Sequence, residues 1–306
     1  MKEYFINPDS RRLRAGWRIL IFFLIFITIT AVLMVTVRTI LGGLRRGSDL
    51  QFFLLGISAT AAVFIARRFL DKKTLTSLGL GWDKFAVLDL LSGILNSALV
   101  MAGIYCVMLG ANLIEFHGFT WWQDDPAPGA NLQVLIFPVV IAILFKLAIV
   151  AWWEELVFRG YLLQNLMDGI GFKWSIVFSS LVFSLGHIFN PNATLLSALL
   201  IALTTPQLIY AYLKSGRLWL PIGIHLGWNF FQASVFGFAA SGQVSPSLIS
   251  QSPTGPDWLS GGQFGAEGSL LILPFTLLSC FLIHYWVGAT RHPGQKLFQI
   301  ALRVEP

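Results

Sequence analysis

Long apolar runs broken by short polar stretches dominate the chain. Eight segments approach the ~20 predominantly apolar residues that a membrane helix needs: 17–37, 50–66, 85–110, 131–153, 173–190, 193–213, 217–239 and 268–290. The fifth is short. The fourth continues in helix-compatible sequence to about Met167, too long for one straight crossing. No internal repeat and no inverted pair of matching halves is visible. The pattern predicts an all-α fold, a polytopic membrane helical bundle of about eight transmembrane helices embedded in the lipid bilayer.

Composition agrees. Of the 306 residues 56% are hydrophobic and only 12% are charged, about half the charge of a soluble globular domain. Apolar richness also excludes disorder. The two cysteines, Cys106 and Cys280, lie inside apolar stretches with no metal-ligand spacing around them, so reduced core residues are expected and no disulfide framework. The run Ile19–Val37 is longer than a signal-peptide core and lacks a small-residue cleavage site, so a retained first span is expected.

The net charge of +6 reads as a membrane-side bias rather than nucleic-acid binding. With a cytoplasmic N-terminus, 17 of the 21 Lys and Arg fall on inner segments and three (Arg38, Arg45, Arg46) on outer ones, while Lys146 sits within a span. Segments 111–130 and 240–267 hold no Lys or Arg. The expectation is a multi-pass protein of the plasma membrane with both termini in the cytoplasm. Segment 240–267, rich in Ser, Gly and Pro, is expected to be flexible. Three regions follow: 1–130 with three spans and a basic cytoplasmic loop, 131–240 with a helical core, and 241–306 with the outer loop, last span and basic tail.

Ionisable groups at membrane depth are costly and mark function by default. Here they are Lys146, Glu154, Glu155, Arg159, His187, His225 and His284. Glu155 and Arg159 are four apart and share a helix face, where they can pair. Glu154 points about 100° away from Glu155. Taken alone, this stretch also reads as an interfacial ion pair ending a span. The turn after the fourth helix falls at Gly169-Ile170-Gly171. Glu155 lies 16 residues before Gly171 and His187 lies 16 after it, so an antiparallel hairpin sets them at one depth. His225 and Asn229 share a face, with Pro221 in the first helical turn. Gly223 and Gly227 permit close helix approach, and a packing seam with one polar pair is the alternative there. Counted from Gly216, His225 lies about 13 Å deep. Together these groups are expected to converge on the cytoplasmic half of the bilayer. They supply a general base, an orienting cation and oxyanion donors. Glu154, His187 and His225 also form a plausible ligand set for a divalent metal such as zinc.

Glu154-Glu155-x-x-x-Arg159, Phe183-x-x-x-His187 and His225-x-x-x-Asn229, in that order, resemble the three motifs of the CPBP family, also called the Abi or CAAX-protease family, which includes the type II CAAX prenyl endopeptidase. Leu70-Asp71-Lys72-Lys73 followed by Ser77-Leu78-Gly79-Leu80 is weakly similar to its basic cytoplasmic loop. The resemblance implies an intramembrane endopeptidase acting near the cytoplasmic face on membrane-associated peptides, CAAX-like prenylated or pheromone- and bacteriocin-type. It implies that Glu154 activates water with help from His187, that His225 and Asn229 form an oxyanion hole, and that Glu155 and Arg159 position the site. The family is described both as glutamate-dependent and as metal-dependent. The ligand spacing is not H-E-x-x-H, and an Asn at the fourth position suits oxyanion stabilisation better than zinc ligation.

Two other functions compete: a transporter or ion path through the same polar groups, against which stand the missing repeat halves, and a non-catalytic immunity or scaffold protein. Lys146 either pairs with a carboxylate or snorkels. His284 reads as structural. His117, Asp124 and Asp125 fall on an outer loop, and Trp121-Trp122 reads as an aromatic belt.

Overall fold

The computed structural model describes residues 2–8, 11–43, 48–120 and 132–290. Trp121, Trp122, Asp124, Asp125, Arg45, Arg46 and the basic tail beyond 290 lie outside them. Of the described residues 75% are helical. Its main helices are α1 (Ala15–Ile40), α2 (Asp49–Ile65), α3 (Lys84–Gly110), α4 (Leu132–Glu155), α5 (Leu163–His187), α6 (Leu195–Ser215), α7 (Trp219–Phe230) and α8 (Ile272–Ala289). Among the described residues, six helical stretches are long and apolar enough to cross a membrane. One of them, Ile136–His187, runs for 52 residues and is two rods, because Gly171 breaks α5 with φ 79° and ψ 174°. Only glycine takes that backbone readily. Counting those rods separately, and adding the shorter α7, gives the eight that the hydropathy pattern predicts.

Local sequence explains the ends. Asp83 caps α3 by accepting from the N–H groups of Phe85 and Ala86. Thr194 and Ser197 form a capping box at the start of α6, and Gly216 ends that helix in the left-handed conformation. Glycines then set the packing of α3 on α7. A Cβ on Gly223 would sit 2.2 Å from the Leu90 carbonyl oxygen, and one on Gly93 would sit 2.6 Å from that of Leu220. The backbones therefore touch, and Ser97 Oγ donates to the Ile224 carbonyl at 2.7 Å. This seam fixes the depth and rotation of the helix that carries His225 and Asn229.

One end of the bundle is basic and cross-linked by charge. Arg18 pairs with Asp71 (2.7 Å) and Asp168 (3.2 Å), and Arg67 also pairs with Asp71 (2.8 Å). Arg217 pairs with Asp83 at 2.6 Å. Leu218 N–H donates to the Gly79 carbonyl at 3.2 Å, joining the 71–83 loop to the α6–α7 turn.

The opposite end differs from expectation. Segment 240–267 is ordered, not a loose loop. Ile249–Pro253 pairs antiparallel with Ile114–Phe119 as β2 and β1, with a bulge between Phe116 and Gly118, so the α fold carries one small sheet. Single helical turns follow at Asp257–Ser260, Gly262–Phe264 and Ala266–Gly268. Phe238 packs against Tyr105, and Gly265 lies so close to Ala239 that a Cβ would overlap its carbonyl. Aromatic anchoring and backbone contact outweigh the flexibility that a Ser/Gly/Pro composition suggests. Cys106 is exposed on the bundle surface rather than in the core, and Cys280 is half-buried; both are free.

Candidate functional site

The site is built on the interrupted helix of residues 132–187. α4 ends at Glu155 and passes into a π-helical stretch, Leu156–Leu162, before α5 resumes. Such widened turns occur often at functional sites. Glu155 and Arg159 are both fully buried. Arg159 Nη1 donates to Glu155 Oε1 at 2.9 Å, and its guanidinium carbon stands 4.2 Å over the Phe183 ring. The charge is thus held by a carboxylate on one side and an aromatic face on the other.

The hairpin arithmetic locates the partner helix. Phe158, 13 residues before Gly171, meets Phe183, 12 after it, with ring centroids 5.0 Å apart. One turn beyond, His187 Nδ1 donates to the Phe183 carbonyl at 2.9 Å. A carbonyl can only accept, so in the neutral ring Nε2 carries the lone pair.

His225 stands between the two adjacent carboxylates. Its Nδ1 donates to Glu155 Oε1 at 2.8 Å, and its Nε2 lies 3.7 Å from Glu154 Oε2. Glu154 Oε2 is buried without a hydrogen-bond partner. Arg159 and His225 both bond to Glu155 Oε1, and Glu155 Oε2, like Glu154 Oε2, is buried without a partner; of the two glutamates it is Glu154 that lines a cavity. This is the divergence that the 100° step between neighbouring helical residues requires.

Glu154, His187, His225 and Asn229 line one cavity of about 470 Å³. Glu155 and Arg159 do not line it and act from behind its wall. Among the described residues no three His, Cys, Asp or Glu side chains converge closely enough to hold a metal ion. The set Glu154, His187 and His225 offers suitable donor types but not a preassembled three-ligand site, whose ligand distances would be about 2 Å from the metal.

The cavity departs from the sequence reading in its direction. None of its lining comes from the basic loops at 66–84, 160–173 or 214–218. Its outer walls are instead Asn190, Ser241, Gln243, Val244 and Ser245, from the two turns at the end of the bundle opposite the basic loops. The expected convergence of Glu154, His187, His225 and Asn229 on one cavity is met, but the cavity extends from them away from the basic loops. Segment 236–271 folds back over the short α7 and supplies one wall.

That wall holds a residue that motif reasoning missed. Glu267 lines the cavity and is nearly buried. Its Oε1 accepts from Trp228 Nε1 at 3.0 Å, and its Oε2 accepts from Ser241 N–H (2.8 Å) and Oγ (2.6 Å). An isolated acid in a Lys- and Arg-free Gly-rich segment was its only signal in the sequence. Gln207 also reaches the cavity, tied to Ser279 at 2.5 Å. Among the other singled-out residues, Lys146 pairs with Asp49 at 3.2 Å and His284 Nδ1 lies 2.9 Å from the Tyr210 hydroxyl. His117 lies on β1, 2.8 Å from the Ser252 hydroxyl.

Fold and site together define a polytopic helical membrane protein with a buried carboxylate–imidazole cavity. Residues 136–231 match the family model described as Rce1-like, Type II CAAX prenyl endopeptidase Rce1-like. Over that core, which holds every residue of the three motifs and is about a third of the chain, the protein is similar to the CAAX/CPBP family of membrane endopeptidases. No curated protein and no solved structure matches the chain.

Proposed function

We infer that the protein is an intramembrane endopeptidase in which Glu154 activates water against a peptide bond of a membrane-associated substrate. The observation that carries this reading is the uncommitted, buried Glu154 Oε2 on the wall of a cavity it shares with two imidazoles and a carboxamide. Glu154 takes a proton as the water oxygen bonds to the scissile carbonyl carbon. His187 Nε2 steadies that water. Charge then builds on the carbonyl oxygen, where the Asn229 amide and His225 Nε2 donate to it. Because Nδ1–H is committed to Glu155, His225 donates from Nε2 as the imidazolium, with one N–H on each side of the ring. Collapse breaks the C–N bond, and the proton held on Glu154 passes to the leaving amine.

Arg159 pairs with Glu155, and Glu155 keeps the His225 ring turned towards the cavity. CAAX-like prenylated chains and pheromone- or bacteriocin-type peptides are the substrate classes proposed.

The test is purified protein with a fluorogenic membrane-anchored peptide. Wild type cleaves it, and Glu154→Gln lowers turnover by about 10²- to 10⁴-fold, the range for a lost general base. Full activity in that variant removes Glu154 from the reaction. Metal content and chelator sensitivity of the same sample test the zinc alternative.

A further inference from the structure

The two ends of the bundle differ in charge. Arg12, Arg18, Arg67, Lys72, Lys73, Lys214 and Arg217 gather at one of them, and no Lys or Arg occurs from 218 to 290. Such asymmetry places the basic end in the cytoplasm. The cavity begins at His225, nine residues beyond Gly216 and about 13 Å along α7 from the basic end. It runs away from that end. Asn190 belongs to the turn before α6, and Leu195 at the start of α6 lies 21 residues, about 31 Å, from Gly216. A Cβ on Gly242 would meet the Pro191 carbonyl at 1.8 Å, so the 240–245 strap is seated on that same turn. Val244, on the cavity wall, is 82% exposed. The strap is held there by Glu267 through Ser241.

We propose that water and substrate reach Glu154 from the non-cytoplasmic side of the membrane, between the Asn190 turn and the 240–245 strap. Of the substrate classes proposed above, this sidedness selects the exported, membrane-anchored polypeptide, whose scissile segment lies outside the cytoplasm, over the CAAX-like cytoplasmic C-terminus. The site's chemistry rests on the endopeptidase reading above; its sidedness does not. On the cytoplasmic flank the site is closed by packing: Gly160 lies against Leu218 and Leu78, all three buried, and Leu218 and Leu78 belong to one apolar core with Tyr161. A soluble cytoplasmic peptide would have to part that core.

Cysteine accessibility tests the assignment. Cys106 and Cys280 are first replaced by Ala, and Val244→Cys, Asn190→Cys or Lys72→Cys is added singly. Intact spheroplasts and lysed cells are treated with a membrane-impermeant maleimide. Val244→Cys and Asn190→Cys are expected to label equally in both, and Lys72→Cys only after lysis. Labelling of the cavity positions only after lysis, or of all three positions from one side, overturns the proposal. Two cavity positions are used so that poor accumulation of one variant leaves the other. Repeating the labelling in a Glu154→Gln background separates the questions, since sidedness is then read in protein without turnover. A peptidase reading that fails leaves the labelling result intact, and the reverse holds too.

Discussion

Glu155 Oε1 accepts the Nδ1–H of His225 at 2.8 Å across 70 residues of sequence. This bond ties the fourth helix to the seventh at the level of the cavity. It also gives neighbouring glutamates unlike tasks. Glu155 binds Arg159 and His225, and Glu154 lines the cavity.

Removing Glu155 is therefore expected to damage folding more than removing Glu154. Glu155→Leu leaves the Arg159 guanidinium buried without its carboxylate, a loss of about 3–5 kcal/mol for a broken buried pair. Thermal unfolding in detergent reads it. The double variant Glu155→Leu/Arg159→Leu is expected to recover much of that stability, because two apolar groups leave no orphan charge. A double variant as unstable as the single one would show that packing, not charge, sets the cost.

Asn229→Ala is expected to lower kcat by about 10²- to 10³-fold, the usual loss for one oxyanion donor, with KM nearly unchanged. Asn229→Asp would also lower it, by setting a carboxylate against a developing oxyanion. A change confined to KM would instead place Asn229 in ground-state binding.

Gly223→Ala is expected to destabilise by about 1–3 kcal/mol, as overpacking does. The added methyl would press on the Leu90 carbonyl, and backbone is the least able neighbour to yield. Gly186→Ala is the control. Gly186 lines the cavity, but nothing lies within 4 Å of a Cβ there, so its Tm is expected to match wild type.

At the basic end, the Arg217 hydrogen bond holds the Asp83 carboxyl below its ordinary value. A depressed acid contributes stability above its unfolded pKa and loses it as pH falls through the folded one. Asp83→Asn keeps the helix cap and removes the charge. It is expected to cost less than about 1 kcal/mol at neutral pH, since the pair is largely solvated. That difference from wild type should vanish below the carboxylate range. A difference that persists in acid would assign the loss to capping instead.

Much of this was legible in the residues because membrane helices obey two simple periods. Apolar run length gave eight rods, and the equal spacing of Glu155 and His187 about Gly171 gave the hairpin level realised by Phe158 and Phe183. The i, i+4 rule gave the Glu155–Arg159 pair. What stayed hidden depended on chain return. Composition marks 240–267 as loop, yet says nothing of Phe238 on Tyr105 or of a strap clasped by Glu267. The cavity's direction was hidden for the same reason, since it is set by where segment 236–271 folds back. The length of α7 hints at this: its helix and π-turn end at Val235, short of a full crossing.

The charge cluster at the basic end bears on how the chain is made. Arg18 is 4% exposed and divides its guanidinium between Asp71 and Asp168. The first of these partners emerges from the ribosome early and the second about a hundred residues later. The set of partners around Arg18 is therefore complete only in a chain long enough to include the tip of the Gly171 hairpin, and a chain ending soon after Asp71 holds one of the two.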